Sequence, residues 1–263
     1  MAHKQQSAAL SSRIRFARNL TEFPFPTRMT EKQRVSLREK VRAAFFSANA
    51  NMGREYEYID VDGLPEIQVQ AMAEEHLISP EFARGPKGRG LIVNKSKNVS
   101  IMINEEDHLR IQVLQKGFDL DSAYTTAKQL DRLLGEKLGY AYSEEWGYLT
   151  SCHTNVGTGM RASVMLHLPA ITALRAVEKL VSETNRLGVT VRGAYGEGDV
   201  LHRASSVRAC GHPPLQLHPS FEVVHRQFRR SKLDHAERNG IKRDPLSRRQ
   251  KNICLKKILQ GSD

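Results

Sequence analysis

Cysteine is scarce in this chain, with three in 263 residues, at positions 152, 210 and 254. The odd count excludes a closed disulfide framework, and none of the spacings is that of a metal-ligand pair. No apolar run approaches the roughly 18 residues that a membrane-spanning helix requires. Residues 1–10 are polar and lack the apolar centre of a secretory leader, so the expected compartment is the cytoplasm. There is no Gly-x-x-x-x-Gly-Lys-Ser/Thr phosphate loop and no His-Arg-Asp or Asp-Phe-Gly element, which excludes two familiar routes to phosphoryl transfer. His108 has no second ligand at a useful spacing, so no protein-borne metal site is expected.

What is present is charge. The chain carries 40 Lys and Arg against 29 Asp and Glu, a net +11, which first suggests nucleic acid or an acidic partner. The distribution weakens that suggestion: residues 199–263 hold 14 basic and 6 acidic side chains, whereas residues 1–198 hold 26 and 23. Nucleic-acid binding is therefore an alternative confined to the basic tail.

Residues 30–49 read as an amphipathic helix capped by Thr30, with Val35, Leu37, Val41 and Phe45 on its apolar side. Residues 66–78 and 122–138 read as two more helices, the latter capped by Ser122 and buried through Leu130, Leu133, Leu134 and Leu138. A fourth runs from Pro169 to Leu187, with Gly188 as its stop. Alternation of period two marks strands at 99–104, 108–114, 160–167 and 188–192. It sets Arg110, Arg161 and Arg192 on the faces of their strands that point away from the core. Strands sharing one antiparallel sheet would gather these arginines on one surface, with helices over the other. That is an α+β architecture. Beyond Glu197 both periods fade, and His212-Pro213-Pro214 and His218-Pro219 break any regular element.

Four blocks hold the chemistry: Ser11-Ser12-Arg13-Ile14-Arg15, Asn104-Glu105-Glu106-Asp107-His108-Leu109-Arg110, the stretch from Cys152 to Arg161, and Arg192-Gly193-Ala194-Tyr195-Gly196-Glu197. Phosphoryl transfer is catalysed mainly by positioning and electrostatics, for which the fixed fork of arginine donors is suited. A guanidinium acceptor has a pKa above ~12 and must be oriented and deprotonated. Two carboxylates, Glu106 and Glu197, both on loops, can do this. A thiolate at Cys152 would help hold the cation. Gly157 and Gly159 permit close backbone approach.

Together the blocks resemble the ATP:guanido phosphotransferase (phosphagen kinase) family, over roughly residues 11–198. Within that family the wording resembles the bacterial members that act on protein arginine. The resemblance implies the guanido kinase catalytic-domain fold: an antiparallel sheet flanked by helices, with its C-terminal part incomplete here. It implies ATP and Mg²⁺ as co-substrate and ion. Arg13, Arg15, Arg110, Arg161 and Arg192 match phosphate-binding arginines, and His76 a nucleotide-contacting histidine. Ser12, Ile14, Ala162, Ser163, Val164, Met165, Gly193, Ala194, Tyr195 and Gly196 fall in the nucleotide-lining stretches. Glu106 and Glu197 match acceptor-binding carboxylates and Cys152 the reactive cysteine. The implied product is phosphoarginine on a protein. The implied partners are proteins with exposed arginine, a heat-shock repressor, an activator protein and the Clp protease machinery.

Three features stand out. The family usually has proline after the cysteine, where this chain has His153; losing it loosens the loop. Small-molecule kinases of the family carry a helical domain before the Ser-Arg block, where only ten residues precede it here, and that suits a protein-bound acceptor. From about Asp199 the sequence no longer resembles the family, so the chain divides into a catalytic unit, 1–198, and an atypical basic tail, 199–263. The abrupt shift is what a change of reading frame would produce. The alternatives are a catalytically impaired remnant that binds ATP or arginine, and a small-molecule guanidino kinase.

Overall fold

The computed structural model describes residues 8–48, 52–174, 176–186, 189–193 and 220–226. The elements run β1 (Ala9–Arg18), α1 (Glu31–Phe46), α2 (Met52–Glu55), β2 (Tyr56–Asp60), α3 (Glu66–Glu74), α4 (Pro80–Ala83), β3 (Gly90–Asn94), β4 (Val99–Ile103), β5 (Leu109–Lys116), α5 (Leu120–Gly135), β6 (Tyr142–Ser143), β7 (Gly147–Tyr148), β8 (Met160–His167), α6 (Pro169–Ala173), α7 (Val177–Arg186), β9 (Val189–Gly193) and β10 (Ser220–Arg226). Eight strands form one sheet in the order β2-β3-β4-β5-β1-β8-β10-β9, and every pairing in it is antiparallel. The expected α+β architecture is the one observed.

Local chemistry accounts for the helices. Thr30 opens α1 with a reciprocal capping box: its hydroxyl accepts from the Gln33 amide while Gln33 reaches back to the Thr30 amide. Leu37, Val41 and Phe45, one turn apart, are fully buried, each contributing about 1.5–3 kcal/mol. α5 starts two residues earlier than expected because Asp119, not Ser122, is the cap; its carboxylate accepts from the Ser122 amide at 3.1 Å. The helix expected over 169–187 is broken into α6 and α7. Ile171, Val177 and Val181 all pack into one cluster with Val164, Leu166, Val189 and Val191. In an unbroken helix Ile171 and Val177 would point some 120° apart, so the break lets Val177 be buried and Ile171 partly buried in the same cluster and leaves Leu174 exposed. Residues 187–188 lie outside the described set.

α1 and α5 cover one face of the sheet, over Ile14, Phe16, Ile101, Ile103, Ile111 and Val113. α3 and α4 cover the other face only at its β2–β4 end, over Leu91, Val93 and Met102. β4 is consequently buried on both sides, as its run of Val99-Ser100-Ile101-Met102-Ile103 demands. Helices were expected on one face alone; α3 and α4 instead wall the arginine-bearing face.

β10 is the further difference. It stands between β8 and β9, although the sequence around it shows no regular period. Its Phe221, Val223 and Val224 are aromatic or β-branched, the composition a strand favours.

Candidate active site

The register of three central strands assembles the arginines. In β1, Arg13 stands opposite Leu114 and Ser163, Arg15 opposite Gln112 and Arg161, and Ala17 opposite Arg110. Opposed residues of antiparallel strands share a face, so Arg13, Arg15, Arg110 and Arg161 lie together. Arg13 Nε approaches Ser163 Oγ at 3.4 Å and Arg161 Nη2 donates to Asn155 Oδ1 at 3.2 Å. Arg192 occupies a β9 position in phase with Arg161, through Glu222 and Arg226 of β10. Gly193 ends β9, while Ala194, Tyr195, Gly196 and Glu197 lie outside the described residues.

The same alternation turns four expected nucleotide-lining residues away. Ile14 and Val164 are buried in the core, and Ala162 packs against it. Ser12 is fully buried; its hydroxyl donates to Gly117 O at 2.8 Å and accepts from the Asp119 amide at 2.9 Å, so it anchors the start of α5. Ser163 and Met165 share the arginine face, both in register with β1.

The β4–β5 turn presents the carboxylates. Asn104 adopts φ +64°, and its amide bonds to His108 O at 3.0 Å. Glu105 and Asp107 turn inward and Glu106 outward. Glu105 accepts from Ser79 Oγ (2.7 Å), from the Glu106 amide (2.7 Å) and from Arg110, its ion-pair partner. Asp107 is buried and accepts from Asn19 Nδ2 and from the Ser151 amide, both at 2.6 Å. It therefore ties the turn that bears Glu106 to the loop that bears Cys152. Glu106 is exposed. Loss of solvent, and then the charges of Asp107 and Glu105, raise its pKa above the ordinary value, against the opposing pull of Arg110 and Arg161. Its charge thus senses both arginines.

Cys152 is a free, half-buried thiol just ahead of a short helical turn at 153–155. Its Sγ lies 3.0 Å from Thr154 Oγ1, and its carbonyl accepts from Thr150 Oγ1 at 2.8 Å. His76 ends α3 in a left-handed conformation, φ +59°. Its amide bonds to Ala73 O and that of Leu77 to Met72 O, the Schellman pattern in which glycine is usual. The His76 carbonyl accepts from Gln112 Nε2 at 2.9 Å, which docks this turn beside the position of Arg15.

His108 is structural, as its lack of a second ligand suggested. Nδ1 accepts from the Leu20 amide and Nε2 donates to Pro24 O, which is one neutral tautomer. Burial lowers its pKa, although the Pro24 bond and Asp107 oppose that. Sequence reasoning missed Glu105, Asp107 and Asn19. The signal for the first two was available in the turn itself, an acidic triplet next to an arginine strand, but nothing in Asn19 distinguishes it.

Residues 36–205 match the family model described as ATP:guanido phosphotransferase, C-terminal catalytic domain. The chain belongs to this family. Relatives named protein-arginine kinase are 42% identical over 229 residues in Halothermothrix orenii, 43% over 232 in Caldanaerobacter subterraneus and 42% over 194 in Bacillus subtilis. These alignments cover 85%, 87% and 74% of this chain, and 64%, 69% and 53% of the relatives, so the chain spans about half to two thirds of their length. The fold is similar to that of the duplicated taurocyamine kinase of Schistosoma mansoni, with TM-score 0.67 and 25% identity over 83% of this chain and 29% of that one. It is similar also to lombricine kinase, with TM-score 0.66 and 21% identity over 90% of this chain and 69% of that one, a likeness of fold alone.

Proposed function

We propose that this chain transfers the terminal phosphoryl group of ATP to the guanidino group of an arginine side chain in another protein. The observation that carries this is the single sheet face of Arg13, Arg15, Arg110 and Arg161 beside two loops, bearing Glu106 and Cys152, that Asp107 ties together. The arginine forks fit the oxygens of a triphosphate. Among the described residues no three or more His, Cys, Asp or Glu stand together as a metal site. Mg²⁺ would be held by phosphate oxygens and water, and would supply neutralisation of their charge.

In the transfer, an acceptor nitrogen forms a bond to the terminal phosphorus as the bond from that phosphorus to the ADP oxygen breaks. The nitrogen's proton passes to the Glu106 carboxylate. A raised pKa makes Glu106 a stronger proton acceptor than an ordinary carboxylate. Glu197 is proposed as the second carboxylate, and Cys152 as a group that orients the guanidinium. His76, Arg161, Ser163, Met165, Arg192 and the stretch 193–196 belong to the proposed nucleotide site. Residues 1–198 carry every group assigned here; from 199–263 the sheet takes the strand β10.

A protein acceptor is favoured over a small one by the names of the relatives at 42–43% identity. A heat-shock repressor, an activator protein and a Clp protease are its proposed partners, in the cytoplasm. Among the described residues no helix is long and apolar enough to cross a membrane. The test is incubation with Mg-ATP and an arginine-rich protein, followed by mapping of acid-labile phosphate under neutral conditions. Phosphoarginine absent from a Glu106→Gln control supports the reading. Turnover on free arginine alone selects a small-molecule kinase, and ATP binding without product selects an inactive relative.

A further inference from the structure

Arg18 lies at the end of β1 and takes no part in the site described above. It is 2% exposed. Its Nε and Nη2 donate to the two carboxylate oxygens of Asp131 on α5 at 2.9 and 2.8 Å. Nη1 donates to Ala17 O at 2.8 Å and to Thr158 O at 3.0 Å. The guanidinium lies 3.6 Å from the ring centre of Tyr148 and 4.9 Å from that of Phe16. A buried charge of this kind costs several kcal/mol of desolvation unless it is fully bonded. This one is, by two parallel ionic bonds, two carbonyls and two ring faces.

The partners of that cage converge on one stretch of backbone. Tyr148, whose ring stacks on Arg18, pairs with Gly157 through both backbone bonds, at 2.8 and 3.2 Å. Thr158 offers its carbonyl to Arg18 directly. Gly159 O accepts from the Ala17 amide at 2.8 Å. At Gly159, with φ +59°, a Cβ would come within 2.5 Å of Arg18 Nη1, so the guanidinium occupies the space a side chain would need. Residues 157, 158 and 159 are thus all held by the Arg18 cage, and they lie between Cys152 and Arg161.

We infer that Arg18 is a positioning residue: its buried ion pair with Asp131 fixes the backbone at 157–159, and with it the placement of Arg161 relative to Cys152. The fork matters as well as the charge. Lysine at 18 could reach Asp131 or the Thr158 carbonyl, but a single ammonium cannot hold the carboxylate in two parallel bonds and still span to the loop.

The test uses the full chain with Arg18→Lys, Asp131→Asn and the double variant. Amide hydrogen exchange is followed in peptides covering 150–161 and, as a control, 90–103, the strands β3 and β4. ATP affinity is read from the fluorescence of Trp146, the single tryptophan, exposed on the turn beside Gly157. The expected result is exchange about tenfold faster in the loop with the control unchanged. ATP affinity should fall about tenfold in each single variant, and the double should be no worse than either. Three results overturn the inference: unchanged loop exchange, an equal acceleration in loop and control, or failure of both single variants to fold, which would make the pair a determinant of the whole core. The nucleotide arm rests on the proposed function; the exchange arm does not. If the unaltered chain binds no ATP, that function fails, and loop exchange alone decides the role of Arg18.

Discussion

Glu105→Gln should destabilise the protein far more than a surface charge removal would. The Glu105 side chain is 3% exposed and Arg110 16%, so solvent does little to screen the pair. One carboxylate oxygen serves Ser79 Oγ and Arg110 together, and the other serves the Glu106 amide. A glutamine has one acceptor oxygen. Whichever side it serves, its NH₂ faces a donor on the other, and the Arg110 charge loses its counter-ion. Breaking one partner out of a buried pair costs about 3–5 kcal/mol; with Arg110 partly open to solvent, roughly 3 kcal/mol is reasonable. At about 2–4 °C per kcal/mol for a chain of this size, the melting temperature should fall by roughly 6–12 °C. Scanning calorimetry measures it, and an Arg110→Met, Glu105→Gln double variant should lose less than the two singles combined. A Glu105→Gln variant melting within about 2 °C of the unaltered chain would refute the reasoning, because the turn would then be a solvated loop.

Glu106 gives a prediction about pH. Its folded pKa is raised, first by burial and then by Asp107. In the folded chain the group keeps its proton to higher pH than in the unfolded chain. Its contribution favours the folded state at low pH and is lost as pH rises from the ordinary value through the raised one. Melting temperatures of the unaltered chain relative to Glu106→Gln should therefore decline as pH rises above about 4, and a relative gain would contradict the assignment. His76→Gly should raise the melting temperature by about 2–4 °C, roughly 1 kcal/mol for relieving a left-handed conformation, while weakening ATP binding; a less stable variant argues against strain at that turn. Thr30→Ala should cost about 1 kcal/mol by urea titration, and a cost under a few tenths would mean the capping box contributes nothing net.

Four of the eight strands of the sheet, β4, β5, β8 and β9, were legible from their alternation, and β8 was placed over 160–167, the span observed. α1 was legible because Thr30 and Gln33 write their cap in sequence. β1 went unassigned although its arginines were noticed. Its run Ser11-Ser12-Arg13-Ile14-Arg15 puts a polar residue, Ser12, at one of its two core-facing positions and leaves Ile14 as the single apolar residue, too little for an apolar alternation to show. β10 went unassigned because seven residues amid His, Pro and basic side chains give period too little length to show. At the candidate site, residue types singled out the arginines, Glu106 and Cys152. The supporting groups stayed hidden because Asn19, Ser79 and Ser151 act by hydrogen bonds to residues 26 to 88 positions away. No local pattern records such contacts.

The proposed acceptor role of Glu106 bears on how a site for a cation can be built in a chain rich in its own cations. Every buried guanidinium near a loose carboxylate would compete with the incoming one. Here the carboxylates are allotted. Asp131 is committed to Arg18, Glu105 to Arg110, and Asp107 to two N–H groups. Glu106, between two committed neighbours, enters no ion pair among the described residues and points outward. A solvated acidic turn would expose all three alike, whereas this one alternates inward, outward, inward. The roles should therefore separate under substitution. Glu105→Gln and Asp107→Asn each remove buried bonds and should lower both melting temperature and turnover. Glu106→Gln removes a carboxyl that the fold prefers protonated, so at neutral pH its melting temperature should hold or rise while turnover is lost. Equal losses of stability at all three positions would mean that the turn is one packed unit with no side chain set aside for the acceptor.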